Sequence, residues 1–205
     1  IKMSHDVLGS MENYYKSTND IVNIKVYQSE YIYTVGANVT AFRYKFWADA
    51  MIAGQEDRAK TLAGRFGQMS DDYFESADMD IELDIIHNVL HMYLNDIPES
   101  QLGPLAKKIA AKGMKGVEKY MKLIKKKSMF LNKEKFDSFN AAPSLKTMQK
   151  DPLFKLIVDI NGAYEKATGT DKLKDAKDNL QKANRYFIAG LRDMNPKKMY
   201  YPNAN

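Results

Sequence analysis

Apolar residues recur three and four positions apart along nearly all of this chain, and little interrupts them. Only six Pro and 11 Gly punctuate the 205 residues. A helix gathers i, i+3, i+4 and i+7 on one face, whereas a half-buried strand alternates at every second residue. Period-2 runs of Val, Ile and Thr are missing, apart from a brief ambiguous patch from Ile21 to Val26. The pattern predicts an all-α fold. Short connections favour packing each helix back against its neighbour, so an irregular bundle of about seven to nine mostly antiparallel helices is expected.

The punctuation places the helices. Ser4 is a candidate N-cap for a first helix, His5 to Lys16. A long helical stretch follows from Ile24 to Gln68, with a break expected near Gly36, since Gly costs ~1 kcal/mol inside a helix. The next helix starts at Ser76-Ala77-Asp78 and runs to Asn95. Further helices are expected from Ser100 to Ala111, Val117 to Ser128 and Leu131 to Phe139. Pro152 suits the first position of a helix ending at Ala167, because its missing N–H has no partner there anyway. Gly169-Thr170-Asp171 then turns and caps a last helix, Lys172 to Asp193. There is no internal repeat and no low-complexity tract, and residues 1–205 read as a single helical domain.

Composition excludes several classes. No apolar run approaches the ~20 residues needed to span a bilayer. Zero Cys rules out a disulfide framework and any Cys-based zinc site. The net charge is +5, but only five of the 31 basic residues are Arg. Phosphate and base readers lean on the bidentate Arg fork, so scattered Lys points to a solvated surface rather than to nucleic acid.

Lys108, Lys112, Lys115, Lys119, Lys122 and Lys126 step by four and three, which places them on one helical face. Ile109, Val117, Met121 and Ile124 line the other side. The stripe reads either as the wet face of an amphipathic helix or as a surface for an acidic partner. Asp84, His87 and His91 share a helical face at a spacing that suits a metal. Asn88 stands where a His-Glu-x-x-His zinc peptidase needs Glu, and ordinary core residues surround the pair, so no metal site is assigned. No Ser lies in Gly-x-Ser-x-Gly, and with Cys absent and three His (His5, His87, His91) no nucleophile–base pair is recognisable. Glycine-rich phosphate loops are absent too, and no cofactor is expected. The aromatic residues Tyr27, Tyr31, Tyr33, Phe42, Tyr44, Phe46 and Trp47 are expected mostly in the core.

Both ends look cut: the chain opens at Ile1, and a final aromatic-rich segment has no partner left in the sequence. It is therefore expected to be a piece of something larger. The last stretch carries Arg185-Tyr186, Gly190-Leu191, Met194 and Tyr201-Pro202-Asn203-Ala204-Asn205 in order, with Lys150-Asp151-Pro152-Leu153 upstream. This resembles the end of the large helical insertion in bacterial dipeptidyl-peptidases of the dipeptidyl-peptidase 7 and 11 type, with Asn203 where that family usually has Asp. The resemblance covers Asp151 to Asn205 and fades toward the N-terminus.

The resemblance implies a serine peptidase with chymotrypsin-like double β-barrels flanking the insertion on both sides. The helical domain would close over the cleft as dipeptides are removed from peptide N-termini, in the periplasm or outside the cell. Such a family keeps its catalytic His and Asp before the insertion and its Ser after it, so no catalytic residue is expected here and the piece alone should be inactive. Ser29-Glu30-Tyr31 to Ala37-Asn38 more loosely resembles the family's Ser-Lys-Tyr followed by Ala-Asn. That implies Asn38 as a substrate-binding residue, accepting a hydrogen bond from the substrate ammonium and opening onto a concave, mostly polar surface. The spacing is two residues longer than usual, and Val39-Thr40-Ala41 replaces the usual Tyr-Trp-Lys. Asn38 is equally placed to cap a helix restarting after Gly36. The competing reading is a stand-alone helical module that binds an acidic partner through the Lys stripe.

Overall fold

The structure, a computed structural model, describes residues 6–196, apart from the side chains of Asp20 and Lys172. All regular structure among the described residues is helical, in ten α-helices and two 3-10 turns. The all-α expectation holds, with slightly more helical pieces than expected. Ser4, His5 and Tyr201–Asn205 lie outside the described residues.

The first helix, α1, runs unbroken from Val7 to Tyr33, so the expected stop at Lys16 does not occur. The Ser17-Thr18-Asn19 cluster looks like a terminus because such side chains compete for backbone groups. Here the Thr18 hydroxyl bonds back to the Tyr14 carbonyl at 3.0 Å and is absorbed into the helix. The long second stretch breaks near Gly36, as expected, into α2 (Gly36–Ile52), and breaks again before α3 (Glu56–Ser76). That second break sits at Gly54, whose φ of 68° is left-handed backbone open chiefly to glycine. Next comes α4 (Met79–Asp96), whose first N–H groups at Asp80 and Ile81 are taken by the Asp78 carboxylate.

A 3-10 turn at Glu99–Gln101 leads to α5 (Pro104–Ala110), and Gly113, with φ 55°, turns the chain into α6 (Gly113–Lys127). A second 3-10 turn (Met129–Leu131) precedes α7 (Lys133–Ala141), capped by the Asn132 side chain on Lys135 N–H. The single-turn α8 (Leu145–Met148), α9 (Pro152–Thr168) and α10 (Asp171–Met194) complete the chain.

The described helices group into two compact units, residues 23–165 and residues 6–22 with 166–196. In the larger unit α2 packs on α3, and α6 packs on α4 and α5. Its core is aromatic. Tyr44 lies 5.6–6.2 Å, between ring centroids, from Trp47, Phe66, Phe130, Phe136 and Phe139, mostly edge-to-face. Each such pair adds about 0.5–1.5 kcal/mol beyond the area it buries. The Tyr44 hydroxyl donates to Asn140 Oδ1 at 2.9 Å, which satisfies the one polar atom of that ring inside the core. Of the aromatics singled out in the sequence, Tyr31, Tyr44 and Trp47 are buried, Tyr27 and Phe42 are half-buried, and Tyr33 and Phe46 are exposed. In the smaller unit, α10 buries Ala176 and Ala183, seven residues apart, beneath a charged face.

Candidate functional site

The residue that the sequence singles out stands at the corner between α1 and α2. Two residues, Thr34 and Val35, separate the helices, and Val35 is extended at φ −128° and ψ 148°. A corner this tight leaves the last carbonyls of α1 and the first N–H groups of α2 without helical partners. Side chains meet three of these groups, the N–H groups of Gly36 and Ala37 and the Tyr31 carbonyl. Glu82, from α4, accepts from Gly36 N–H at 3.1 Å and from Ala37 N–H at 2.8 Å. A carboxylate here also faces the positive end of the helix dipole. On the other side, Asn38 Nδ2 donates to the Tyr31 carbonyl at 2.5 Å.

Asn38 is therefore a brace across the corner, and it is only 1% exposed. The expectation that its side chain opens onto a concave polar surface is not met. The physical reason is the orphan Tyr31 carbonyl, which takes an amide donor from the nearest side chain that has one. Nor does Asn38 cap the helix restart: the N-cap position is Val35, which offers no side-chain cap, and Glu82 does that work from 45 residues away. Among the described residues Asn38 Oδ1 is a buried acceptor without a hydrogen-bond partner, and the buried hydroxyls of Tyr31 and Thr40 lack one too. The ring of Tyr73 closes the corner against Gly36, where an added Cβ would meet it at 2.2 Å. Burial, with Glu82 beside it, raises the Tyr73 phenol well above its ordinary pKa, and its hydroxyl donates to the Phe130 carbonyl at 3.0 Å.

The Lys stripe does not lie on one helix. Lys108 belongs to α5 and Lys112 precedes α6, with the left-handed turn at Gly113 between Lys112 and the rest. His87 and His91 are both half-buried on α4, and His91 Nε2 lies 3.1 Å from Asn95 Nδ2. Among the described residues no group of three or more His, Asp or Glu side chains is placed to hold a metal ion.

Two further carboxylates escaped sequence reasoning. Asp159 on α9 accepts from Leu105 and Ala106 N–H, both at 2.9 Å, and so caps α5 from 53 to 54 residues away. Asp151 is buried and accepts from Ser128 Oγ (3.0 Å) and from the N–H groups of Met129 (2.8 Å), Leu153 (2.9 Å) and Phe154 (3.0 Å). Burial pushes its carboxyl pKa up, and the four hydrogen bonds pull against that. Asp before Pro152 is a legible cap signal. Its second role, holding the Met129–Leu131 turn, has no local signal. The same holds for Glu82 and Asp159, whose partners lie 45 to 54 residues away.

The pattern of the peptidase S46 family matches residues 5–205. The chain belongs to the peptidase S46 family, and the likeness reaches well beyond the C-terminal stretch legible in the sequence. It is 29% identical over 150 residues, 73% of the chain, to an Asp/Glu-specific dipeptidyl-peptidase of Porphyromonas gingivalis. It is 26% identical over 205 residues to dipeptidyl-peptidase 7 of the same species, covering 98% of this chain. The chain spans only 20% and 27% of those two relatives. Among solved structures it resembles DPP11 of Porphyromonas endodontalis, with a TM-score of 0.64 at 17% identity, over 92% of this chain and 27% of that one. The same enzyme in complex with the dipeptide Arg-Glu gives a TM-score of 0.60 at 16% identity. Those likenesses establish the fold. Among the described residues no helix is long and apolar enough to cross a membrane.

Proposed function

We propose that this chain is the helical cap of a serine dipeptidyl-peptidase, flanked by catalytic barrels of the same polypeptide and working in the periplasm or outside the cell. The observation that carries the reading is the family match along residues 5–205 of a chain that spans about a quarter or less of its dipeptidyl-peptidase relatives. The cap walls off the cleft and excludes long internal segments of substrate. Holding a peptide in register in this way lowers the barrier through orientation, and closure gates entry. The chemistry itself belongs to residues outside this chain, since no nucleophile–base pair is recognisable within it.

Asn38 is the residue proposed to meet the substrate amine. Its Oδ1 is the kind of atom an ammonium seeks, an acceptor with no internal donor. As the corner stands, Asn38 is enclosed, so the amine is reached only when the α1–α2 corner opens toward the cleft. The test is Asn38→Ala in the complete peptidase, read by kinetics and thermal midpoint together. A lost hydrogen bond to a charged group is worth about 1.5–3 kcal/mol, or roughly ten- to a hundredfold in kcat/KM. A drop in kcat/KM for free-amine peptides supports the proposal. Unchanged kinetics with a lowered midpoint would leave Asn38 as the corner brace alone.

A further inference from the structure

The lysines of the stripe are split between two helices, and the split brings them together around a hollow. Lys108 and Ile109 on α5 face Lys119, Lys122 and Lys126 on α6, with Lys112 at the turn between the helices. The hollow has a volume of about 400 Å³, within the range of pockets that hold ligands. Its floor is apolar, formed by Leu105, Ile109 and Leu123, and Leu123 stays 37% exposed. No Asp or Glu lines it. Among the described residues none of these five ammonium groups takes part in an ion pair, although Lys45, Lys125 and Lys133 of the same unit do. A solvated lysine face needs no hollow beneath it, and a buried apolar seam needs no lysine rim.

We propose that this groove between α5 and α6 binds an acidic, partly apolar peptide segment in extended form. Charge complementarity selects an anion, and the apolar floor requires side chains beyond the charges. From Lys112 to Lys126 the helix axis advances about 21 Å at 1.5 Å per residue, which an extended peptide covers in about six residues. Successive side chains of such a peptide point to opposite sides. Alternating acidic and apolar residues therefore set carboxylates at the rim and apolar groups on the floor. A flat anionic bilayer would touch the lysine rim and leave the floor uncovered, and a nucleic acid would find neither Arg nor a free aromatic platform. The Tyr120 ring at the edge is half-buried, with its hydroxyl bonded to the Pro152 carbonyl at 2.8 Å. The groove is independent of the peptidase reading, because it needs no free amine and no catalytic domain.

The test uses the 205-residue chain and a fluorescent, N-acetylated hexapeptide of alternating Glu and Leu, with a Gln-Leu hexapeptide as the neutral control. The acetyl group removes the amine that a dipeptidyl-peptidase site would hold, so success or failure here is separate from that of the cap reading. Saturable binding of the acidic peptide is expected. It should weaken at least tenfold in Lys119→Glu/Lys122→Glu/Lys126→Glu, and several-fold as ionic strength rises from roughly 0.01 M to 1 M. Leu123→Ser should also weaken it while leaving every charge in place. A control with the same charge change elsewhere, Lys25→Glu/Lys60→Glu/Lys146→Glu, should bind within twofold of the parent, with far-UV dichroism checking that all variants stay helical. Equal loss in the control, equal binding of the Gln-Leu peptide, or absence of peptide binding would overturn the proposal. So would capture by phosphatidylglycerol vesicles through the same lysines in place of the peptide.

Discussion

At the residue scale, the α1–α2 corner is the place where single atoms decide most. Gly36 is there because the Tyr73 ring occupies the space a Cβ needs, at 2.2 Å. Overfilling of this kind typically costs about 1–3 kcal/mol. Gly36→Ala should lower the urea midpoint accordingly, and the pairing Gly36→Ala with Tyr73→Leu should recover part of the loss by vacating the contact. Glu82→Ala removes the acceptor of two N–H groups of α2. A loss of about 1–2 kcal/mol is expected, as for other helix caps, and Glu82→Gln should lose less because one oxygen remains. If Glu82→Ala melted like the parent, water would be serving those N–H groups and the cap would carry no weight. Neither Glu82 nor Tyr73 was legible as a corner residue. Their roles rest on partners 37 to 46 positions away, with no local pattern to mark them.

At the scale of elements, the joints between helices separate glycines that are required from those that are tolerated. Gly113 turns α5 into α6 at φ 55°, a conformation that disfavours side chains. Gly113→Ala should therefore destabilise by about 1 kcal/mol. Gly64 lies within α3, with nothing within 4 Å of an added Cβ. Gly64→Ala should stabilise by about 0.5–1 kcal/mol through helix propensity alone. The two substitutions are chemically identical, and opposite shifts in thermal midpoint are the expected result. Asp151 ties the start of α9 to the Met129–Leu131 turn. Its carboxyl pKa is raised on folding, so the folded chain holds that proton more tightly than the unfolded one. This group's stabilisation is then fullest below the ordinary carboxylate pKa, about 3.9, and declines as pH rises through the folded value. The stability of the parent relative to Asp151→Asn should therefore fall from acid toward neutral pH. A gap that widened with pH would mean that the hydrogen bonds to the carboxylate outweigh its burial.

For the molecule as a whole, two expectations concern chemistry. The 205-residue chain should not cleave dipeptidyl chromogenic substrates, and turnover that persists after removal of contaminating peptidases would sink the accessory-domain reading. Titration with zinc should show no tight stoichiometric site. A sub-micromolar site lost in His87→Ala would instead make the His87/His91 pair a ligand set.

Helical period and sparse Pro and Gly were enough to determine the all-α class, because amphipathic spacing is a property of neighbours a few residues apart. Asp78, Thr170 and Pro152 marked helix starts in the same local way, and each heads its helix as read. The C-terminal motif pointed to the family from a few dozen residues. Tertiary structure decided what depends on distance. It carried α1 past Lys16 to Tyr33 with Thr18 bonded back into the helix, buried Asn38 against a carbonyl, brought Glu82 and Asp159 to helices far away in sequence, and folded a linear Lys stripe around a hollow. Unmet N–H and C=O groups at helix ends recruit whichever side chain the packing brings near. That identity is settled by the three-dimensional arrangement of helices, which no short window of sequence contains.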